Sequence, residues 1–230
     1  MKHKQKRSPL LRFWNFLLLA VILGAMLFST ASRDAMRLID TYRYPRRYAE
    51  YVSEASERFG VEENMIYAII KAESGFRATV VSRAGAIGLM QVIPDTFLFD
   101  IREKIDMAES PSSVLFSARE NILAGTYYYS YLRKHFGAER EALAAYNAGI
   151  GNVTRWLADP AYADLKGLIP DAIPIAETRA YIRACRRTRR ITTTYTASRR
   201  SRTRATSSVR SNATLGRRST ARSIASIRVL

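Results

Sequence analysis

Residues 61–75 read Val-Glu-Glu-Asn-Met-Ile-Tyr-Ala-Ile-Ile-Lys-Ala-Glu-Ser-Gly, and their spacing predicts a short helix. Glu62 and Glu63 stand in a first turn, where acids favour the positive end of the helix dipole. Met65, Ile66, Ile69 and Ile70 repeat at the three-and-four spacing of one helix face. Continued by three or four residues, that stripe lands on Glu73, and Gly75 follows as a helix-ending residue. A carboxylate is therefore expected on the buried face of the last turn. Desolvation and the negative end of the dipole both raise the pKa of such a group. A carboxyl held protonated near neutral pH is what a general acid requires. Taken alone, the same glutamate reads more readily as half of a structural ion pair.

The flanking segments carry the same helical signature. From Pro45, the positions Tyr48, Tyr51, Val52, Ala55 and Phe59 recur at three and four, and Gly60 stops the run. Residues 82–91, Ser-Arg-Ala-Gly-Ala-Ile-Gly-Leu-Met-Gln, form a Gly-punctuated loop that enters a short helix near Pro94 or Asp95. Gly85 and Gly88 allow close backbone approach there, and Met90 and Gln91 offer an adaptable apolar group and an amide. A long helix is expected from about Arg119 to Phe136 and a fourth from Glu139 to Ala148. In the latter, Leu143 is followed at three and four by Tyr146 and Asn147, which puts two more polar groups at the end of an apolar face.

Charge separates the chain into three parts. Of 37 Lys and Arg and 20 Asp and Glu, residues 1–12 hold five bases and residues 186–230 hold thirteen arginines, with no acid in either stretch. The middle, 13–185, carries the other 19 bases and all 20 acids, so it is near neutral. The net charge of +17 is therefore no argument for a nucleic-acid partner, and none is expected. Cys185 is the sole cysteine, and His3 and His135 are the only histidines. Disulfide frameworks and cysteine zinc sites are excluded, and no metal or cofactor is expected. Carboxylate, amide and hydroxyl chemistry remains.

The basic start is followed by an apolar run from Phe13 to Phe28, broken only by Asn15 and Gly24. That pattern is a signal peptide, with Ser29-Thr30-Ala31 as the cleavage site, or a short membrane anchor. Either way the domain that follows is exported: to the outer face of the cell membrane if anchored, to the cell wall if secreted. The expected organisation is a signal or anchor at 1–31, a linker at 32–44, a catalytic domain at 45–184 and a tail at 185–230. The tail, rich in Arg, Ser and Thr, shows no helical or strand period and is expected to be disordered. Its charge suits anionic wall polymers or lipid head groups. A solvated tail without a role, or an out-of-frame end, accounts for the composition equally well.

In order, Glu73-Ser74-Gly75-Phe76, Gly88-Leu89-Met90-Gln91 and Ala145-Tyr146-Asn147-Ala148-Gly149 resemble the motifs of soluble-type lytic transglycosylases. Asn121-Ile122 with Gly125 and Tyr127, and Glu177-Thr178-Arg179-Ala180-Tyr181, extend the resemblance from about Tyr44 to Arg183. It implies an all-α, lysozyme-like multi-helix domain related to goose-type lysozymes. It further implies action on peptidoglycan glycan strands, and a monomer is expected. There Glu73 would be the sole acid/base, cleaving the bond between N-acetylmuramic acid and N-acetylglucosamine and leaving a 1,6-anhydro end. Ser74, Met90, Gln91 and Asn147 would line the glycan cleft, and Tyr146 would position Glu73. Glu177 and Arg179 would tie the last helix to the core.

Most glycosidases use two carboxylates. Asp95 is the nearest candidate for a second, though at a helix start it reads first as an N-terminal cap. A muramidase hydrolysing the same bond, and a non-catalytic wall-binding module held by the basic tail, are the alternatives. The chain departs from the family pattern at Arg77-Ala78 and at Arg83, which affects the loop over the cleft. After Arg183 the last helix gives way to the Arg-rich tail, so a truncated final element is expected. Deletion of 186–230 is then expected to leave the thermal midpoint nearly unchanged.

Overall fold

The computed structural model describes residues 9–43, 45–107 and 110–193. The basic residues 1–8 and the tail from 194 onward lie outside the described residues. The chain forms two units, residues 1–45 and residues from Arg46 on.

The first unit is one helix, α1 (Pro9–Arg43). Its stretch Phe13–Ser32, 20 residues of mean hydropathy 2.0, is long and apolar enough to cross a membrane, and none of it is buried.

The second unit is built from helices, as its periodicity requires. They are α2 (Ala49–Phe59), α3 (Glu63–Glu73), a short α4 (Pro94–Thr96), a short α5 (Pro111–Val114), α6 (Ala118–Phe136), α7 (Glu139–Ala148) and α8 (Ile150–Leu157). A last helix, α9, runs over residues 176–193. The only strands among the described residues are β1 (Ala163–Asp164) and β2 (Gly167–Leu168), an antiparallel hairpin pairing Ala163 with Leu168.

Helix α3 is the axis of the core: every residue from Asn64 to Ile70 is buried. α6 packs against both α2 and α7. Gly60 and Gly137 end α2 and α6 with φ of 67° and 71°, a conformation that costs a side-chain-bearing residue more. Between α4 and α5, a π-helical turn (Phe97–Ile101) buries Phe97 and Ile101 and leaves Phe99 outside. This turn and the hairpin are too short to show a period, whereas α8 carries Ile150, Val153, Trp156 and Leu157 at helical spacing and was missed.

The end of the domain corrects the sequence reading. Cys185 was expected to open a disordered tail, yet it is 0% exposed, with its thiol 3.9 Å from the Ala68 carbonyl of α3. α9 continues through residue 193, burying Thr178, Tyr181, Ile182, Cys185, Thr188 and Thr192. The spacing of these positions is that of one helix face. Outside this face, Arg189 pairs with Glu62 at 2.7 Å and with Glu139, and Arg186 lies 3.5 Å from Glu139. The change in composition at 185 is thus not a structural boundary, because small threonines fill the core face and arginines neutralise acids of the preceding helices.

Candidate active site

Glu73 closes α3, carried to that point by the buried Ile69 and Ile70. Its carboxyl is pushed up from the ordinary 4.5 to about 7. Burial is the main cause; the Tyr181 hydroxyl works against the rise and the charge of Glu177 adds to it. Tyr181 is buried, and its hydroxyl has no hydrogen-bond partner of standard geometry among the described residues. Burial and the nearby Glu73 charge hold the phenols of both Tyr181 and Tyr146 well above their ordinary range, so both stay protonated donors. The site therefore joins one carboxyl whose pKa is raised to about 7 with two phenols that stay protonated there.

The floor of the site is a loop held by side chains rather than by regular structure. Asn121, 1% exposed in α6, accepts from the Met90 amide at 2.8 Å and donates to the carbonyls of Ile87 (2.9 Å) and Leu115 (2.8 Å). Gly88, at φ 80°, passes so close that a Cβ would strike Asn121 Nδ2 and come within 2.6 Å of the Leu115 carbonyl oxygen. Gly125 is a second close approach: a Cβ there would lie 2.6 Å from Met90 Cβ and 2.9 Å from Tyr146 Oη. The Tyr146 hydroxyl donates to the Met90 carbonyl at 2.9 Å. Gln91 adopts φ 50°, and its amide nitrogen donates to the carbonyls of Gly88 (3.0 Å) and Val80 (3.2 Å), fastening the loop across its base.

α9 is fixed to the end of α7 and to the segment that precedes it. Thr178 Oγ1 donates to Asn147 Oδ1 at 2.6 Å, and the Arg179 guanidinium donates to the Ile173 and Pro174 carbonyls ahead of the helix. That anchoring brings Tyr181, one turn further on, to Glu73.

Several expected contacts are different in the structure. Ser74 is 2% exposed and donates to the Ile70 carbonyl at 3.2 Å, so it caps α3 instead of lining a cleft. Met90 is 0% exposed, its side chain wedged against Gly125; it supports the cleft from beneath. Tyr146 holds Met90, and its link to Glu73 is electrostatic. Gln91 and Asn147 stay half-buried, each with its side chain engaged in the scaffold. Asp95 is no N-cap: Ile93 occupies that position, with no side-chain capping bond. The carboxylate that acts on Glu73 is Glu177. It is exposed and has no hydrogen bond or ion pair among the described residues, so it is not the structural tie expected of it; Arg179 is. The sequence reading also assigned no role to Tyr181, although it lies on the same helical face as Thr178, three residues on. Among the described residues, no group of three or more His, Cys, Asp or Glu side chains is gathered as a metal would need.

Residues 50–166, half of the chain, match the family model described as the transglycosylase SLT domain. The chain belongs to this family. The matched stretch holds Glu73, the Gly88–Gln91 loop, Asn121 and Tyr146; Tyr181 lies beyond it. Relatives of the SLT family chain include two proteins named membrane-bound lytic murein transglycosylase C. That of Pectobacterium atrosepticum is 40% identical over 118 residues, covering 47% of this chain and 33% of the relative. That of Actinobacillus succinogenes is 37% identical over 123 residues, covering 50% and 34%. The chain thus spans about a third of the length of these curated relatives. Among solved structures, the 70-kDa soluble lytic transglycosylase in complex with bulgecin A superimposes with a TM-score of 0.62 at 29% identity, covering 68% of this chain and 26% of that one. The 70-kDa enzyme of Escherichia coli gives 0.59 at 30%, covering 66% and 25%. The SLT domain fold, mainly helical and lysozyme-like, is the fold of this chain's second unit.

Proposed function

We propose that this protein is a membrane-anchored peptidoglycan lytic transglycosylase in which Glu73 is the catalytic acid and base. The reading is supported by the place of Glu73 at the end of the buried helix α3, where burial pushes its carboxyl up to about 7 and the Tyr146 and Tyr181 phenols are near enough to interact with it. Protonated, it gives its proton to the oxygen joining muramic acid C1 to the next glucosamine, and that bond breaks. The resulting carboxylate takes the proton of the muramoyl C6 hydroxyl, whose oxygen closes on C1 as the 1,6-anhydro ring. No water is consumed. The names of the relatives support the substrate, and a member of the SLT family has reason to keep a carboxyl in this state.

The apolar stretch Phe13–Ser32 supports an anchor with the basic residues 1–12 in the cytoplasm and the catalytic domain outside. Ser74 and Met90 serve as scaffold, and the groups offered to the glycan are Glu73 with the half-buried edges of Gln91 and Asn147.

The nearness of Glu177 favours a second reading, in which that carboxylate activates a water and the bond is hydrolysed. Mass spectrometry of fragments released from purified peptidoglycan separates the two. Anhydro-muramoyl ends, one water lighter than hydrolysed ends and absent with Glu73→Gln, are expected. Reducing muramoyl ends would assign hydrolysis. Equal release by Glu73→Gln would remove Glu73 from its role.

A further inference from the structure

The outer face of α9 is left unexplained by the site. Arg186, Arg187 and Arg190 stand three, four and seven residues after Arg183, and all four are exposed. They form one stripe opposite the face that carries Tyr181 and Cys185 into the core. Arg183 and Arg187 have no carboxylate within ion-pair distance among the described residues, and residues 183–193 contain no acid. Like charges at this spacing repel and destabilise a helix. Glu139 offsets Arg186 within the fold, and Arg183 and Arg187 present their charge to an anion outside it.

The chain itself points to that anion. Phe13–Ser32 is long and apolar enough to cross a bilayer, and the second unit begins at Arg46. Even fully extended, residues 33–45 reach no further than about 45 Å. A domain so tethered meets lipid head groups at high effective concentration, where weak contacts become populated. Arginines clustered on a helix face are what an anionic leaflet attracts.

We propose that the Arg183, Arg186, Arg187 and Arg190 face of α9 docks on the anionic phospholipid surface of the bilayer that holds the chain's own N-terminal helix. Tyr181, on the opposite face, keeps Glu73 on the far side of α9 from the lipid, about one helix diameter (~10 Å) away. Docking thus fixes which side of the domain is turned from the membrane. This inference rests on the anchored reading given above.

The test uses the full chain in nanodiscs, with a fluorophore on Ala184→Cys in a Cys185→Ala background and a quencher on the lipid head groups. In discs containing phosphatidylglycerol the dye is quenched; in phosphatidylcholine discs it is not. Arg183→Gln, Arg187→Gln and Arg190→Gln together lower the docked-to-free ratio by roughly a hundredfold, about fivefold per arginine. Salt at 1 M, which shortens the screening length to about 3 Å, has the same effect. An unquenched dye in anionic discs that carry the chain overturns the docking. So does quenching that survives the triple substitution but is lost when the chain is ended at Thr193, which assigns it to the tail. Displacement of the helix from anionic discs by a stoichiometric anionic polymer overturns lipid as the occupant. A chain that does not co-elute with the discs at all overturns the anchor, and this proposal with it.

Discussion

At the residue scale, Glu73 ties chemistry to stability. Its folded-state pKa of about 7 lies above the ordinary 4.5, so between these values the folded chain binds more protons than the unfolded one. Stability is then full below pH 4.5 and falls as pH rises through 7, by about 3 kcal/mol from this group. Glu73→Gln keeps the shape without the charge, so its stability relative to the parent should rise by that amount between pH 4 and 8. Urea unfolding at both pH values checks this. The neighbours should move the alkaline limb of the pH–rate profile in opposite directions. Tyr181→Phe removes a contact that lowers the Glu73 pKa and shifts the limb up; Glu177→Gln removes a charge that raises it and shifts the limb down. A purely structural role for either residue would change the rate without moving the limb. Glu73 was legible in the sequence because an apolar stripe led to it. Ser74 and Met90 were expected to line the cleft, yet both side chains are buried, because spacing along a chain does not report which side of a loop a side chain faces.

At the element scale, the loop 80–92 shows how little regular structure a site floor needs. Its isolated bridges join Val81 to Ile87 and Ile87 to Val92, and the rest depends on Asn121. Asn121→Ala strands one amide and two carbonyls in a buried setting, at roughly 1–3 kcal/mol each, tempered by relaxation. A loss of about 4 kcal/mol in urea unfolding is expected, with activity lost as the floor slackens. Gly88→Ala should be comparably damaging, since the methyl meets backbone and amide that cannot yield. Sequence periodicity placed α2, α3, α6 and α7 because each is long and one-sided. It failed at α9 beyond Arg183, where Thr188 and Thr192 take core positions without being apolar. Burying a threonine is tolerated when its hydroxyl bonds the preceding turn, as Thr192 Oγ1 does to the Thr188 carbonyl at 3.0 Å.

At the scale of the whole molecule, the composition break and the structural boundary fall at different places. Ending the chain at Cys185 removes the Arg189 pairs with Glu62 and Glu139 and uncovers the threonine face. Ending it at Thr193 keeps both. The shorter chain should melt about 5–10 °C below the longer one, the shift for a loss of 2–3 kcal/mol in a domain of this size. Equal midpoints would mean that the end of α9 adds nothing. One consequence of the Asn121 arrangement reaches across the domain. The Met90 amide lies in a segment with almost no repeating backbone pattern, yet its partner sits in the longest buried helix. To release that proton to solvent, the loop must part from the buried Asn121 side chain of α6. In deuterium oxide, the Met90 amide should therefore exchange far more slowly than those of an exposed loop. A floor that looks like a loop would then share the core's protection.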